Sequence, residues 1–211
     1  DFQEQNANYL LWWDSEEIWL IAGRMTETNK VGFIGGMESP VISKFDYGFR
    51  AGVKAANPDA EVMVQYANSF TDSALGKTIA NQMHSKNADI IFTCAGAVGI
   101  GAIEAAKENG KKAIGVDQDQ NSLAPENVIT SAMKNIDVSV EEMLSKVVDG
   151  SYKGGEIIVN TLAMNGVGIP QSSEKNVPPD VLTYVKEEAE KVKSGEVKVP
   201  ATKEEFEQLN K

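Results

Sequence analysis

From Lys30 onward the apolar positions of the chain fall into short runs separated by longer periodic stretches. Val31 to Ile34 is an apolar run stopped by Gly35-Gly36, the pattern of a buried strand that ends in a turn. After Pro40, the residues Val41, Ile42, Phe45, Phe49 and Val53 recur at helical spacing, and Asn57-Pro58 ends the stretch. Glu61 to Tyr66 reads as a second strand, and Asp72 is placed to cap a helix running to about Lys86. A strand at Asp89 to Thr93, a helix from Ala97 to Asn109 closed by Gly110, and a strand at Lys112 to Val116 complete the rhythm.

Strands of four to six apolar residues alternating with longer helices predict βαβ crossovers and a parallel sheet. Uniformly apolar strands agree with this, because both faces of such a sheet are covered. The predicted fold class is therefore α/β. Beyond Asp117 the rhythm changes. Val128 to Met133 predicts one more strand, Val138 to Val148 a helix ended by Asp149-Gly150, and Glu156 to Thr161 a further strand. A charged helix follows at Pro179 to Lys193, with Val181, Leu182, Val185, Ala189 and Val192 as its apolar stripe. Thr202 stands three residues before Glu205, a capping-box start for a last helix.

Composition narrows the chemistry. The net charge of −11 over 211 residues is spread along the chain, which removes the basic patch that nucleic acid or an anionic membrane surface requires. One cysteine, Cys94, allows no intrachain disulfide and no CxxC pattern. It falls at the end of a buried strand and reads as a packing residue. The one histidine, His84, falls in a polar stretch, Asn81 to Lys86, and reads as a surface residue at a helix end. No apolar run of about eighteen residues and no signal peptide is present. A chain opening at Asp1-Phe2-Gln3 without Met fits a processed protein or a fragment.

In an open parallel sheet, ligands bind at the carboxyl ends of the strands. Here those ends are Gly35-Gly36-Met37, Ser69 to Asp72, Thr93 to Gly96 and Asp117 to Gln120, with Lys134 after the next strand. Glycines let a backbone approach a ligand, an aromatic stacks on a flat ring, and carboxylates accept from sugar hydroxyls. The collection suits a neutral polar ligand with a ring and hydroxyls. From spacing alone a plainer reading stands beside it, with Asp117 and Asp119 as turn caps and Phe92 as core. Gly96, Gly99 and Gly101 do not make a dinucleotide fingerprint, since Glu104 stands where the motif requires glycine or alanine, and no phosphate-cradling P-loop is present.

The same segments spell out a resemblance. Thr26 to Met37, Phe45 to Gly52, Ala88 to Phe92, Ala113 to Gln120 and Thr130 to Lys134 resemble the basic-membrane-protein (purine nucleoside receptor A-like) lipoproteins. The likeness is collinear from about Met25 to Lys211 and includes the closing Ser194 to Pro200. It implies a type I periplasmic-binding (flavodoxin-like) fold, in which two α/β lobes clamp a ligand. It also implies an extracytoplasmic protein, periplasmic or held at the cell membrane by a lipid anchor, that delivers a purine-type nucleoside to an ABC transporter permease. The resemblance assigns Asp117 and Lys134 to the ribose hydroxyls and Phe92 and Gly96 to the base side, with Phe70 as a substitute for Phe92. It implies no cofactor, no metal and no catalytic residue.

Two departures qualify the likeness. The family's N-terminal lobe has no counterpart here, so the expected organisation is an N-terminal segment (1–24), a ligand-binding α/β lobe (25–134), and a return segment (135–211). The apolar faces of the return segment then lack a partner, which predicts dimerisation, misfolding or a compensating cover. The second departure is the tryptophan-rich Leu11 to Ile21, with the form of an insertion or scar, whose Trp12, Trp13 and Trp19 are expected to cover the face left by the missing lobe. Two other classes remain: an extracytoplasmic sensory or interaction domain of the same fold, and a small α/β enzyme or receiver-like domain using Asp117 and Asp119. A magnesium requirement separates the last from nucleoside binding.

Overall fold

A computed structural model describes residues 9–12, 16–155 and 157–209. Its frame is a six-stranded sheet in the order β3-β2-β4-β5-β6-β8. These are β2 (Lys30–Gly35), β3 (Glu61–Tyr66), β4 (Ile90–Cys94), β5 (Lys112–Asp117), β6 (Val128–Lys134) and β8 (Val167–Gly168). The first five run parallel, and β8 pairs antiparallel with the end of β6 through Met133 and Lys134. A helix follows each of the first three of these strands, α2 (Pro40–Ala56), α3 (Ser73–Ser85) and α4 (Ala97–Glu108), and a fourth, α5 (Ile136–Val148), follows β6. Apart from β8, these elements lie where the hydrophobic pattern predicts them, with ends shifted by a residue or two.

Two-sided burial explains the unbroken apolar strands. Phe33, Ile90 and Phe92 point to one face, where they meet Phe45, Phe49 and Val53 of α2. Their neighbours Ile34 and Ile91 point to the other, where they meet Ile79 and Met83 of α3 and Val98 of α4. Each strand alternates between two separate cores. The first core is completed by α1 (Glu16–Met25) and α6 (Pro179–Lys193), which contribute Ile18, Trp19, Leu182 and Val185.

Helix α1 lies across the boundary expected at 24/25, so it belongs to the lobe. Trp19 is 1% exposed, and its indole occupies the space above Gly48 and Gly52 of α2. A Cβ on Gly48 would lie inside the Trp19 ring, so the two helices meet only because that position carries no side chain. This corrects the expectation for Trp19: it packs within the core of this lobe and is not a cover over the face toward a second lobe. Trp13 lies outside the described residues, as does the side chain of Trp12.

The C-terminal helix α7 (Lys203–Leu209) starts as the capping box predicts. Thr202 Oγ1 accepts from the Glu205 amide at 3.2 Å, and Glu205 in turn accepts from the Ala201 amide at 2.7 Å. Phe206 then stacks on Tyr47 of α2 with centroids 5.9 Å apart. His84 is a second correction. It is buried, with Nδ1 2.9 Å from the Ala88 carbonyl, an arrangement that requires a proton on Nδ1. The reverse turn after α3 folds the ring inward, which the polar composition of that stretch conceals.

Past β6 the packing thins. Helix α5 buries Ser139, while Val140, Leu144, Val147 and Val148 are exposed, Val148 to 88%. Beside it, β1 (Tyr9–Trp12) and β7 (Ile157–Asn160) form a separate two-stranded parallel sheet. Ser139 Oγ donates to Asn160 Oδ1 at 2.7 Å, tying α5 to this small sheet.

Two outcomes are expected. Trp19→Ala empties the α1–α2 contact and should cost about 3–5 kcal/mol in urea unfolding. Burial is the main cause holding the His84 ring below its ordinary pKa, partly offset by the bond to Ala88. The folded state therefore binds fewer protons than the unfolded state just below pH 6.5, so stability should fall as the pH drops from 7 through 6. That component should vanish in His84→Gln, read as the difference between the two melting curves across pH.

Candidate functional site

The carboxyl ends of β2, β4, β5 and β6 lie side by side, because these neighbours are parallel. Three of the residues singled out by sequence reach this edge. Asp117 ends β5, Lys134 ends β6, and Gly96 follows β4 as the cap of α4. Lys134 Nζ is 2.6 Å from Asp117 Oδ1. The carboxylate is about half exposed and the ammonium less so, with side-chain exposures of 55% and 21%. A pair this open adds at most about 1 kcal/mol to stability. Its value lies in presenting an acceptor and a donor together at the sheet edge.

Asp117 has φ +70°, a left-handed conformation that a residue with a Cβ seldom adopts. The Gln118 amide donates to the Val116 carbonyl at 2.9 Å, closing a γ-turn around it. Such backbone strain clusters at ligand clamps. The ammonium of Lys134 also sits 5.4 Å from the centroid of the Phe45 ring, which gives its charge a second attractive surface.

Phe92 is not at this edge. Its ring is 0% exposed and packs against Phe33, Phe45 and Phe49 at centroid distances of 5.6, 6.3 and 5.4 Å. The side chain points into the first core, so it is corrected from a base-side contact to a support beneath Phe45, which in turn underlies Lys134. Phe70, the substitute, lies at the rim. Its ring covers Gly36, where any Cβ would collide with it, and its carbonyl accepts from the Ala97 amide at 2.8 Å. That bond joins the loop after β3 to the turn at Gly96. Gly96 itself has φ +59°, and a Cβ there would come within 2.8 Å of the Phe70 carbonyl. Both constraints require glycine.

The other candidates have local tasks. Asp72 caps α3 by accepting from the Leu75 amide at 2.9 Å, and Asp119 accepts from the Asn121 amide at 3.0 Å. Cys94, the last residue of β4, is buried, and burial pushes its thiol up to about 12. It stays protonated and unreactive at neutral pH. A partly buried pair beside the end of β3 escaped the sequence reading. Tyr66, at the end of β3, donates to Asp46 Oδ2 at 3.2 Å. Burial, partly opposed by the Arg50 guanidinium, raises the Asp46 carboxyl above its ordinary range. The only sequence signal was an aspartate at a position on the apolar face of α2.

Among the described residues, no group of three His, Cys, Asp or Glu side chains is placed to hold a metal ion. Also among them, no helix is long and apolar enough to cross a membrane. The arrangement offers a paired carboxylate and ammonium, a glycine-bordered backbone turn and one half-buried aromatic ring along the carboxyl edge of the sheet.

Residues 19–203 match the family described as ABC transporter substrate-binding protein PnrA-like. A CD4+ T-cell-stimulating antigen of Listeria monocytogenes is 38% identical over 94% of this chain and 58% of its own length. Basic membrane protein B of Borreliella burgdorferi is 39% identical over 89% of this chain and 54% of its own. The chain thus spans a little over half the length of these relatives. A solute-binding protein of an ABC transporter system from Aeropyrum pernix superposes with a TM-score of 0.83 at 24% identity. That match covers 96% of this chain and 69% of the other. This neighbour shares the type I solute-binding fold.

Proposed function

This chain belongs to the PnrA-like family of ABC transporter substrate-binding proteins, and from that premise we propose that it carries one half of a nucleoside-binding clamp. In this reading Asp117 accepts from the ribose hydroxyls and Lys134 donates to a ribose oxygen. Phe70 stacks on the base, and the glycine turn at Gly96 lets the base approach. The observation that carries it is the Asp117–Lys134 pair held at 2.6 Å on a strained turn at the carboxyl edge of the sheet. A carboxylate and an ammonium side by side match the alternating donors and acceptors of a sugar diol. Clamp closure by a second lobe then excludes water and strengthens each contact.

The setting follows from the same reading. The protein works outside the cytoplasmic membrane, reaches that membrane through a lipid anchor, and passes its ligand to an ABC permease. Binding without bond breaking asks for no nucleophile and no metal. The sensory alternative of the same fold differs in its partner, not in this edge.

Titration calorimetry with guanosine, adenosine, inosine and uridine, and with ribose as control, tests the proposal. A purine nucleoside is expected to bind where ribose alone does not. Asp117→Ala should weaken binding at least tenfold, equal to about 1.4 kcal/mol. Equal binding in wild type and Asp117→Ala would overturn the assignment of the pair.

The exposed stripe on α5 needs a cover as well. In this chain by itself the expected cover is a second copy, packed through Val140, Leu144 and Val148. Sedimentation velocity should show a dimer that grows with concentration and is lost in the double variant Leu144→Glu, Val148→Glu. A monomer at every concentration would show that the face stays open.

A further inference from the structure

The strained turn at Asp117 is not held by Asp117 itself. Three residues on, the side chain of Gln120 folds back over the strand end. Its Oε1 accepts from the Val116 amide at 3.0 Å. Because Val116 offers a donor, the amide group must present its oxygen here, which fixes its orientation. The Gln120 backbone amide then donates to Ser131 Oγ on the neighbouring strand at 3.1 Å. Ser131 is fully buried and pairs in register with Gly115, while Asp117 pairs with Met133, the residue before Lys134. One residue therefore grips β5 just before Asp117 and β6 three residues before Lys134.

Gly115 makes room for this grip. A Cβ there would lie 2.5 Å from Gln120 Oε1 and 2.7 Å from Ser131 Oγ, so any larger residue would expel the Gln120 side chain. Gly115, Gln120 and Ser131 thus form a unit whose effect is felt at the Asp117 backbone. A left-handed aspartate relaxes toward ordinary φ unless its surroundings over-determine it. The turn bond from Gln118 to Val116 is local and weak by itself, and the Gln120 bond to the Val116 amide anchors the same residue from the other side.

We infer that Gln120 is a positioning residue, whose clip across β5 and β6 holds the Asp117 carboxylate against Lys134 in the orientation that receives the ligand. The ligand half of this inference rests on the nucleoside reading above. The positional half does not, because it concerns the pair in the free protein.

The test combines Gln120→Ala, Gln120→Glu and Asp117→Ala. The nitrogen-15 resonance of the Lys134 ammonium reports its contact with Asp117 without ligand. In Gln120→Ala that resonance should move to the position seen in Asp117→Ala, while the melting temperature changes by only a few degrees. Gln120→Glu keeps an acceptor for Val116 and should restore the wild-type signal. With inosine as probe, Gln120→Ala should raise Kd about tenfold, and Gln120→Glu should recover most of that loss. A loss of fold stability alone would lower the melting point and leave the ammonium signal in place, which would overturn the inference. A wild-type signal in Gln120→Ala overturns it whether or not inosine binds. If inosine fails to bind wild type while the ammonium signal still follows Gln120, the nucleoside reading falls and the positioning inference stands.

Discussion

Covering both faces of a parallel sheet is the constraint from which the rest of this structure follows. Each strand from β2 to β6 must alternate its side chains between two cores, and helices must lie on both sides to close them. The crossover connections this requires send every strand the same way, so their carboxyl ends gather along one edge. The chain there leaves the sheet for a loop and has freedom to adopt turns such as those at Gly96 and Asp117. The site is thus a consequence of how the sheet is buried.

The first core connects that burial to the chemistry at the edge. Phe33, Phe49 and Phe92 form a fixed aromatic floor on which Phe45 rests, and Lys134 lies above Phe45. Trp19 closes the same core from the side through its contact with Gly48 and Gly52. A substitution deep in this cluster would reach the Asp117–Lys134 pair by tilting Phe45, without touching either residue. Rigid packing under a half-exposed ion pair is a sound way to orient groups whose mutual attraction in water is small.

The return segment obeys the same rule in the negative. Helix α5 and the pair β1–β7 are joined through Ser139 and Asn160, yet among the described residues no layer covers Val140, Leu144, Val147 and Val148. A two-stranded sheet and one helix are too little to bury an apolar face by themselves. That contrast between a closed lobe and an open remainder agrees with a chain that spans just over half of its relatives.

Periodicity by itself determined the α/β class and the positions of β2 to β6 and α2 to α6, because burial on both faces imprints itself directly on hydrophobic spacing. The strand-end residues Gly96, Asp117 and Lys134 were legible for the same reason, since topology sends them to a common edge. What the sequence did not decide is which way each side chain turns. Phe92 and Phe70 are both aromatic and both near strand ends. Phe92 lies within its strand on the face toward α2, whereas Phe70 lies beyond β3 in the loop leading to α3. His84 likewise reads as polar surface until the turn at Asn87 brings the Ala88 carbonyl to its ring. Trp19 reads as part of an insertion until two glycines on α2 are seen to receive it. The clip by Gln120 joins residues from two strands and a loop, so no local pattern announces it. Tertiary structure decided these points because each depends on a contact between segments far apart in the chain.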